Sequence, residues 1–301
     1  MKETLEHVAY RLIGFLFYMT GRIPLRQGQR IGAKMGHLIY RIDRRHRRIA
    51  EENIAHAFEE MPLAERDALI LRVFENLGKI FFEMAWSLSL DEKKFFRYFR
   101  IEGADNIHNA HAEGKGVLAL AAHFGNWELL TVIAAMIRHP LSVVYRPLDF
   151  KPMERFIVAY RTRFGTSLIP KKKTFRRVLR AIKQGDMVTL LMDQNVAWRE
   201  GVFADFFGHP ACTNKGLALL ALKTKAPVVP VFLAREENGF VAKFLPPLPL
   251  IRTGDRIKDV ELNTEQYNRV IESAVRQHPD QWFWVHRRWN TKPCYPWPRE
   301  K

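Results

Sequence analysis

The 301-residue chain has only two cysteines, Cys212 and Cys294, too far apart in sequence to form a CxxC pair. That scarcity argues against both a disulfide framework and a zinc site, and it suits a reducing, cytoplasm-facing protein. Long apolar runs are also missing. The best candidate, His7–Leu25, is rich in Leu, Ile, Phe and Tyr but is interrupted by Arg11 and Arg22, and its uninterrupted part falls well short of the roughly 20 residues a spanning helix needs. No small-residue cleavage site follows it, so it does not read as a removed signal peptide. Internal repeats, low-complexity tracts and Gly/Ser linkers, which would mark a second independent domain, are absent as well. Acidic residues are outnumbered, 32 against 48 Lys and Arg, leaving a net charge of +16 and a pI near 10.0. The excess favours an anionic partner: nucleic acid, lipid headgroups or an acidic carrier protein. No nucleic-acid reading module is recognisable, so no nucleic-acid partner is expected.

What is present is enough apolar sequence, 47%, for a sizeable core. Residues 1–25 read either as a membrane-associating helix lying at a bilayer surface, its arginines reaching the phosphates, or as a core helix. Apolar residues at helical spacing predict a helix over Gln29–Phe58, through Ile31, Met35, Leu38, Ile39 and Ile42, and another over Pro62–Leu90. After Gly103 strand-like and helix-like runs alternate. Strands are expected at Gly116–Ala122, Leu141–Tyr145, Met187–Met192, Pro227–Leu233 and Gly239–Leu245. Helices are expected at Asn126–Ile137, Pro152–Phe164, Thr174–Lys183, Asn214–Lys223 and Thr264–Gln277. The fold class is therefore α/β, a mostly parallel sheet flanked by helices. Residues 26–301 form one domain, helical over 26–100 and α/β over 101–301.

One segment carries chemistry. Leu118–Ala122 reads as a buried strand ending at His123, followed by a tight Gly125-Asn126 turn and a helix. His123 thus stands at the carboxyl end of a strand, where open α/β sheets form their ligand crevices. The His-x4-Glu spacing is expected to let the Glu128 carboxylate fold back onto one imidazole nitrogen. A histidine so paired has a fixed tautomer and a stabilised imidazolium, and can act as a general base. The alternative is a satisfied histidine capping a strand. No Gly-x-Ser-x-Gly elbow or nucleophilic cysteine accompanies it, which favours direct transfer over a covalent enzyme intermediate.

His123-Phe-Gly-Asn-Trp-Glu128 resembles the His-x4-Asp/Glu motif of the lysophospholipid acyltransferase superfamily. Tyr145-Arg-Pro147, Met192-Asp-Gln194, Gly201-Val-Phe203 with Phe206-Phe-Gly208, Pro227-Val-Val-Pro230 and Gln281–Trp289 then follow in the order shown by the late acyltransferases of lipid A biosynthesis. The resemblance runs from about the second helix to residue 293. It departs at Ala211–Lys215, where the family pattern has a more Thr-rich turn. The resemblance implies an O-acyltransferase at the cytoplasmic face of the cell inner membrane, with an acyl thioester donor, usually acyl carrier protein, and an anionic glycolipid acceptor. It implies His123 and Glu128 as the catalytic pair and requires neither metal nor cofactor. An acyl-CoA-dependent enzyme acting on another glycolipid or phospholipid is the alternative within this chemistry. A non-enzymatic basic protein that binds membranes or nucleic acid is the alternative outside it.

Around the motif, Arg146 follows a strand and either binds a phosphate or is a surface arginine. Asp193 and Gln194 end another strand and either face the crevice of His123 or hold a loop through backbone amides. Lys171, Lys172 and Lys173 with Arg176, Arg177 and Arg180 form a basic cluster, suited to an acidic carrier or to solvent. Trp282, Phe283, Trp284 and Trp289 suit a membrane interface or a core plug equally.

Overall fold

The computed structural model describes residues 2–171 and 174–293; Lys172, Lys173 and Cys294 lie outside them. Helices α1 (Lys2–Thr20), α2 (Leu25–Ile42), α3 (Arg44–Ala57), α4 (Leu63–Ser87) and α5 (Glu92–Tyr98) form the first part. The single helix predicted over Gln29–Phe58 is two. Asp43 ends α2 and caps α3, its carboxylate accepting a hydrogen bond from His46 N at 3.0 Å, so a capping residue hidden in a basic run breaks the helix. Helix α2 packs tightly along α4 because its contact seam is Gly28, Gly32 and Gly36. A Cβ on Gly36 would lie 2.1 Å from the Phe74 carbonyl, and one on Gly78 of α4 would lie 2.0 Å from that of Gly32. No helix among the described residues is long and apolar enough to cross a membrane.

The rest alternates around a sheet: β1 (Phe99–Glu102), α6 (Ala104–Ala112), β2 (Val117–Ala121), a 3-10 turn Trp127–Leu129, α7 (Leu130–Ile137), β3 (Leu141–Tyr145), α8 (Lys151–Thr162), β4 (Ser167–Pro170), α9 (Thr174–Lys183) and β5 (Met187–Leu191). There follow β6 (Gly201–Phe206), β7 (His209–Asn214), α10 (Gly216–Thr224), β8 (Val228–Glu236), β9 (Gly239–Phe244) and α11 (Arg256–Gln277). Seven strands run in the order β1-β9-β8-β2-β5-β3-β4. All neighbours are parallel except the β8–β9 pair. Central β2 (VLALA) is buried along its whole length, as expected of a parallel strand covered on both faces.

The two faces carry separate cores. Ala119, Ala121, Leu129, Val132 and Val231 belong to one, Leu118, Leu120, Leu217, Ile271, Trp282, Trp284 and Trp289 to the other. Trp282, Trp284 and Trp289 are buried, so the aromatic tail is a core plug. The β6–β7 hairpin forms a separate ribbon that the sequence reading misses. Its turn holds Phe207 and Gly208 both at positive φ, the geometry that suits a two-residue hairpin.

Candidate active site

Strands β2 and β5 are neighbours with Ala121 level with Leu191, so the second residue beyond each, His123 and Asp193, come side by side at the carboxyl edge of the sheet. His123 Nδ1–H donates to Asp193 Oδ1 at 2.9 Å, and the His123 backbone N–H donates to Oδ2 at 2.9 Å. Trp282 Nε1–H donates to the same Oδ2 at 2.8 Å. Asp193 is fully buried and His123 partly exposed. Burial alone pushes the Asp193 carboxyl pKa up, but the adjacent His123 and its hydrogen bonds outweigh it and hold the group well below its ordinary range. A permanent carboxylate on Nδ1 fixes the proton there and leaves Nε2 as the basic nitrogen. The Gln194 side-chain amide lies 3.4 Å from Nε2, and Trp127 packs edge-on to the ring at 5.1 Å.

Glu128 is placed differently from the sequence expectation. Its carboxylate makes no hydrogen bond to His123; instead Arg161 of α8 donates to it in a fork, Nε to Oε2 at 2.8 Å and Nη2 to Oε1 at 2.6 Å. The 3-10 turn carries Glu128 toward α8, while the imidazole is already held by the residue across the sheet. Both members of this pair are mostly buried. Burial lowers the Arg161 pKa, yet Glu128 outweighs burial and the net direction is up. Glu128 and Arg161 line the same cavity as His123. Arg161 carries no motif, and sequence reasoning missed it.

The turn between His123 and Glu128 is clamped from behind. Glu83 of α4, fully buried, takes a forked ion pair from Arg235. It also accepts hydrogen bonds from Asn126 Nδ2 at 2.9 Å and Gln29 Nε2 at 2.8 Å. Gly125 N–H donates to the Gln281 carbonyl at 2.8 Å. Gly125 sits at φ +58°, and a Cβ there would lie 1.8 Å from the Leu233 carbonyl, so only glycine fits this approach. Removing one partner of such a buried pair costs about 3–5 kcal/mol, which makes this clamp a rigid mount for His123.

His123 opens on a cavity of about 1030 Å³. One part of it lies between the sheet and α7, walled by Ile133, Ala134, Val143, Thr189, Leu191 and Val231. Strand β2 lies between Leu191 and Val231, and beyond Val117 at its start it presents only Ala119 and Ala121 on that face. Small side chains at the middle of the sheet leave the depth that a larger residue would fill. The other part is polar, with Arg146, Lys171, Arg176, Gln194 and Glu200 at its wall. Arg146 is largely exposed. Of the predicted residues, His123, Glu128, Arg146 and Gln194 line one cavity, and Asp193 lies behind His123.

The sequence matches the family described as bacterial lipid A biosynthesis acyltransferase over residues 2–291. It is 27% identical over 284 residues to the lipid A biosynthesis lauroyltransferase of Escherichia coli, covering 93% of this chain and 90% of that one. It is 25% identical to the lipid A biosynthesis palmitoleoyltransferase of the same organism, covering 87% and 85%. The phosphatidylinositol mannoside acyltransferase of Mycobacterium tuberculosis is 23% identical, with 79% and 75% covered. These matches set aside the non-enzymatic readings of the basic charge. The chain is an O-acyltransferase and belongs to the bacterial lipid A biosynthesis acyltransferase family.

Proposed function

We propose that this enzyme moves a fatty acyl group from acyl carrier protein to a hydroxyl of a lipid A precursor, with His123 as general base. The observation that carries the reading is the orientation of the imidazole: Nδ1 is fixed on a buried carboxylate and Nε2 is next to an apolar-walled cavity. The acceptor O–H gives its proton to Nε2 as its oxygen attacks the thioester carbonyl carbon. The C–S bond then breaks, and the leaving thiolate takes the proton back from the imidazolium. Asp193 stabilises that cation without itself being protonated. The part of the cavity under α7 takes the acyl chain, and Arg146 at the polar end receives phosphate. Glu128 acts through Arg161, holding it in the cavity wall; this replaces the direct His123–Glu128 contact expected from spacing.

The acidic carrier suits a chain of net charge +16. Membrane attachment, which we place at the cytoplasmic face of the inner membrane, is itself supported by α1, where Leu5, Val8, Leu12, Phe15, Leu16 and Met19 form one exposed apolar stripe. The similarity to a mannoside acyltransferase favours acylation of another glycolipid as the second reading. The test supplies the purified enzyme with labelled acyl groups on carrier protein and on coenzyme A, against a tetraacylated lipid A precursor and a mannosylated phosphoinositide. Faster transfer from the carrier to the lipid A precursor is expected; exclusive use of coenzyme A or of the other lipid overturns the proposed donor or acceptor.

A further inference from the structure

Helix α2 has its aliphatic side chains on the outside. Its seam against α4 is glycine, whereas Ile31, Met35, Leu38, Ile39 and Ile42 are exposed, Leu38 to 56% and Ile42 to 70%. At about 100° per residue these five fall in one stripe beside the glycine seam, and Arg26, Arg30, Lys34 and Arg41 fall in a second stripe beyond it. The helix contains no Asp or Glu. Among the described residues no carboxylate lies within ion-pair distance of Arg30, Lys34 or Arg41, nor of Arg44 and Arg45 just after it. Among the described residues this cationic edge has no ion-paired carboxylate, Asp43 beside Arg45 being the one nearby negative charge on it, and the aliphatic stripe is exposed.

Helix α1 lies next to it on α4. Phe17 of α1 meets Phe81 with ring centroids 4.6 Å apart, and Gly28 of α2 meets Phe82. Both helices therefore pack on one segment of α4, where Phe81 is itself exposed. An exposed aliphatic stripe of this kind marks an interaction site. The charge chooses the occupant: a bilayer with anionic headgroups accepts aliphatic side chains and pairs unpartnered arginines with phosphates. A second copy of the chain would oppose the same cations to one another.

We propose that α2 is an in-plane lipid-binding helix, inserting Ile31, Met35, Leu38, Ile39 and Ile42 into the surface of an anionic bilayer while its arginines and lysine hold the headgroups. This extends the membrane attachment proposed for α1, and its test reads lipid contact instead of turnover, so a failed transfer assay leaves it standing. Full-length protein carrying Cys294→Ser and either Leu38→Cys or Ile42→Cys is labelled with an environment-sensitive fluorophore; Cys212 is buried. The label should move to an apolar environment with vesicles of mixed phosphatidylglycerol and phosphatidylcholine, be quenched by bromine-labelled acyl chains, and respond far less to phosphatidylcholine alone. In the unlabelled protein, Leu38→Asp with Ile42→Asp, both at exposed positions, should weaken vesicle binding on the order of tenfold or more. A label that stays in water while the protein sediments with anionic vesicles overturns the proposal. So does an equal response to neutral vesicles, or burial of the label by self-association without lipid.

Discussion

Replacing Asp193 with asparagine tests how the imidazole is set. The carboxylate uses Oδ2 for two donors, His123 N–H and Trp282 Nε1–H, and Oδ1 for the ring. In Asp193→Asn the side-chain oxygen is held in the Oδ2 position by those two donors, so the NH₂ group falls where Oδ1 was. It then donates to Nδ1, the ring proton moves to Nε2, and the nitrogen facing the cavity loses its lone pair. Volume and packing are kept, so the cost appears in the chemistry. A tautomer reversal of this kind in a His–Asp pair lowers kcat by about 10⁴, equivalent to about 5.5 kcal/mol in the barrier. The assay is steady-state transfer of a labelled acyl group by purified native and variant enzymes, with folding checked by thermal unfolding. Folded Asp193→Asn with kcat within about tenfold of native refutes the orientation argument; a large fall in kcat with KM little changed is the expected result.

Glu128→Ala and Arg161→Ala should lower turnover severely and to a similar degree, and the double variant should be little worse than either, because the two side chains act as one unit; fully additive losses in a double-mutant cycle would contradict this. Ala134→Leu, which fills the cavity beneath α7, should shift donor preference to shorter chains. Each excluded methylene forfeits about 0.8 kcal/mol, or roughly fourfold, and a chain-length series of donors reads the shift. His286 is half-buried with its Nε2 enclosed, donates through Nδ1 to the Phe283 carbonyl at 2.7 Å, and has its pKa pushed down to about 4 by desolvation. The unfolded chain therefore takes up a proton that the folded one refuses, and this contribution, full above pH 6.5, is lost as pH falls toward 4. Its loss amounts to about 3 kcal/mol. Urea midpoints between pH 7 and pH 4.5 should fall more steeply for the native chain than for His286→Gln.

Five of the seven sheet strands are legible in sequence because they are continuous apolar runs, as β2 and β5 are, and alternation with helices identifies a parallel sheet. The edge strands β1 and β4, four residues each, carry no such run. Helix α11 begins at Arg256 instead of Thr264 because Asp255 caps it, accepting from Ile257 N and Lys258 N, within a stretch too polar to show periodicity. In α2 the spacing of Ile31, Met35 and Leu38 reveals a helix but not which side faces inward; that is decided by glycines that let α4 approach.

The site divides the same way. His123 is legible from its place at a strand end, and the cavity confirms that it faces open space. Asp193 is legible as a strand-end residue near the same crevice, but its pairing with the ring is not, because hydrogen bonding follows the sheet and not the chain. Asp193 is seventy residues away in sequence but one strand over, while Glu128, five residues on, is turned to α8. Arg161 sits in a helix whose other basic residues face solvent, and nothing in sequence distinguishes it. The clamp of Glu83, Arg235 and Asn126 joins three distant segments, and only the closed fold brings them together.

The most direct test of His123 as the base is the single-turnover rate of acyl transfer, from carrier protein to a tetraacylated lipid A precursor, by native enzyme and by folded His123→Ala. A fall of a hundredfold to ten-thousandfold, with the variant still binding the acyl donor, is expected. A His123→Ala enzyme that transfers at the native rate would contradict general-base catalysis by this residue.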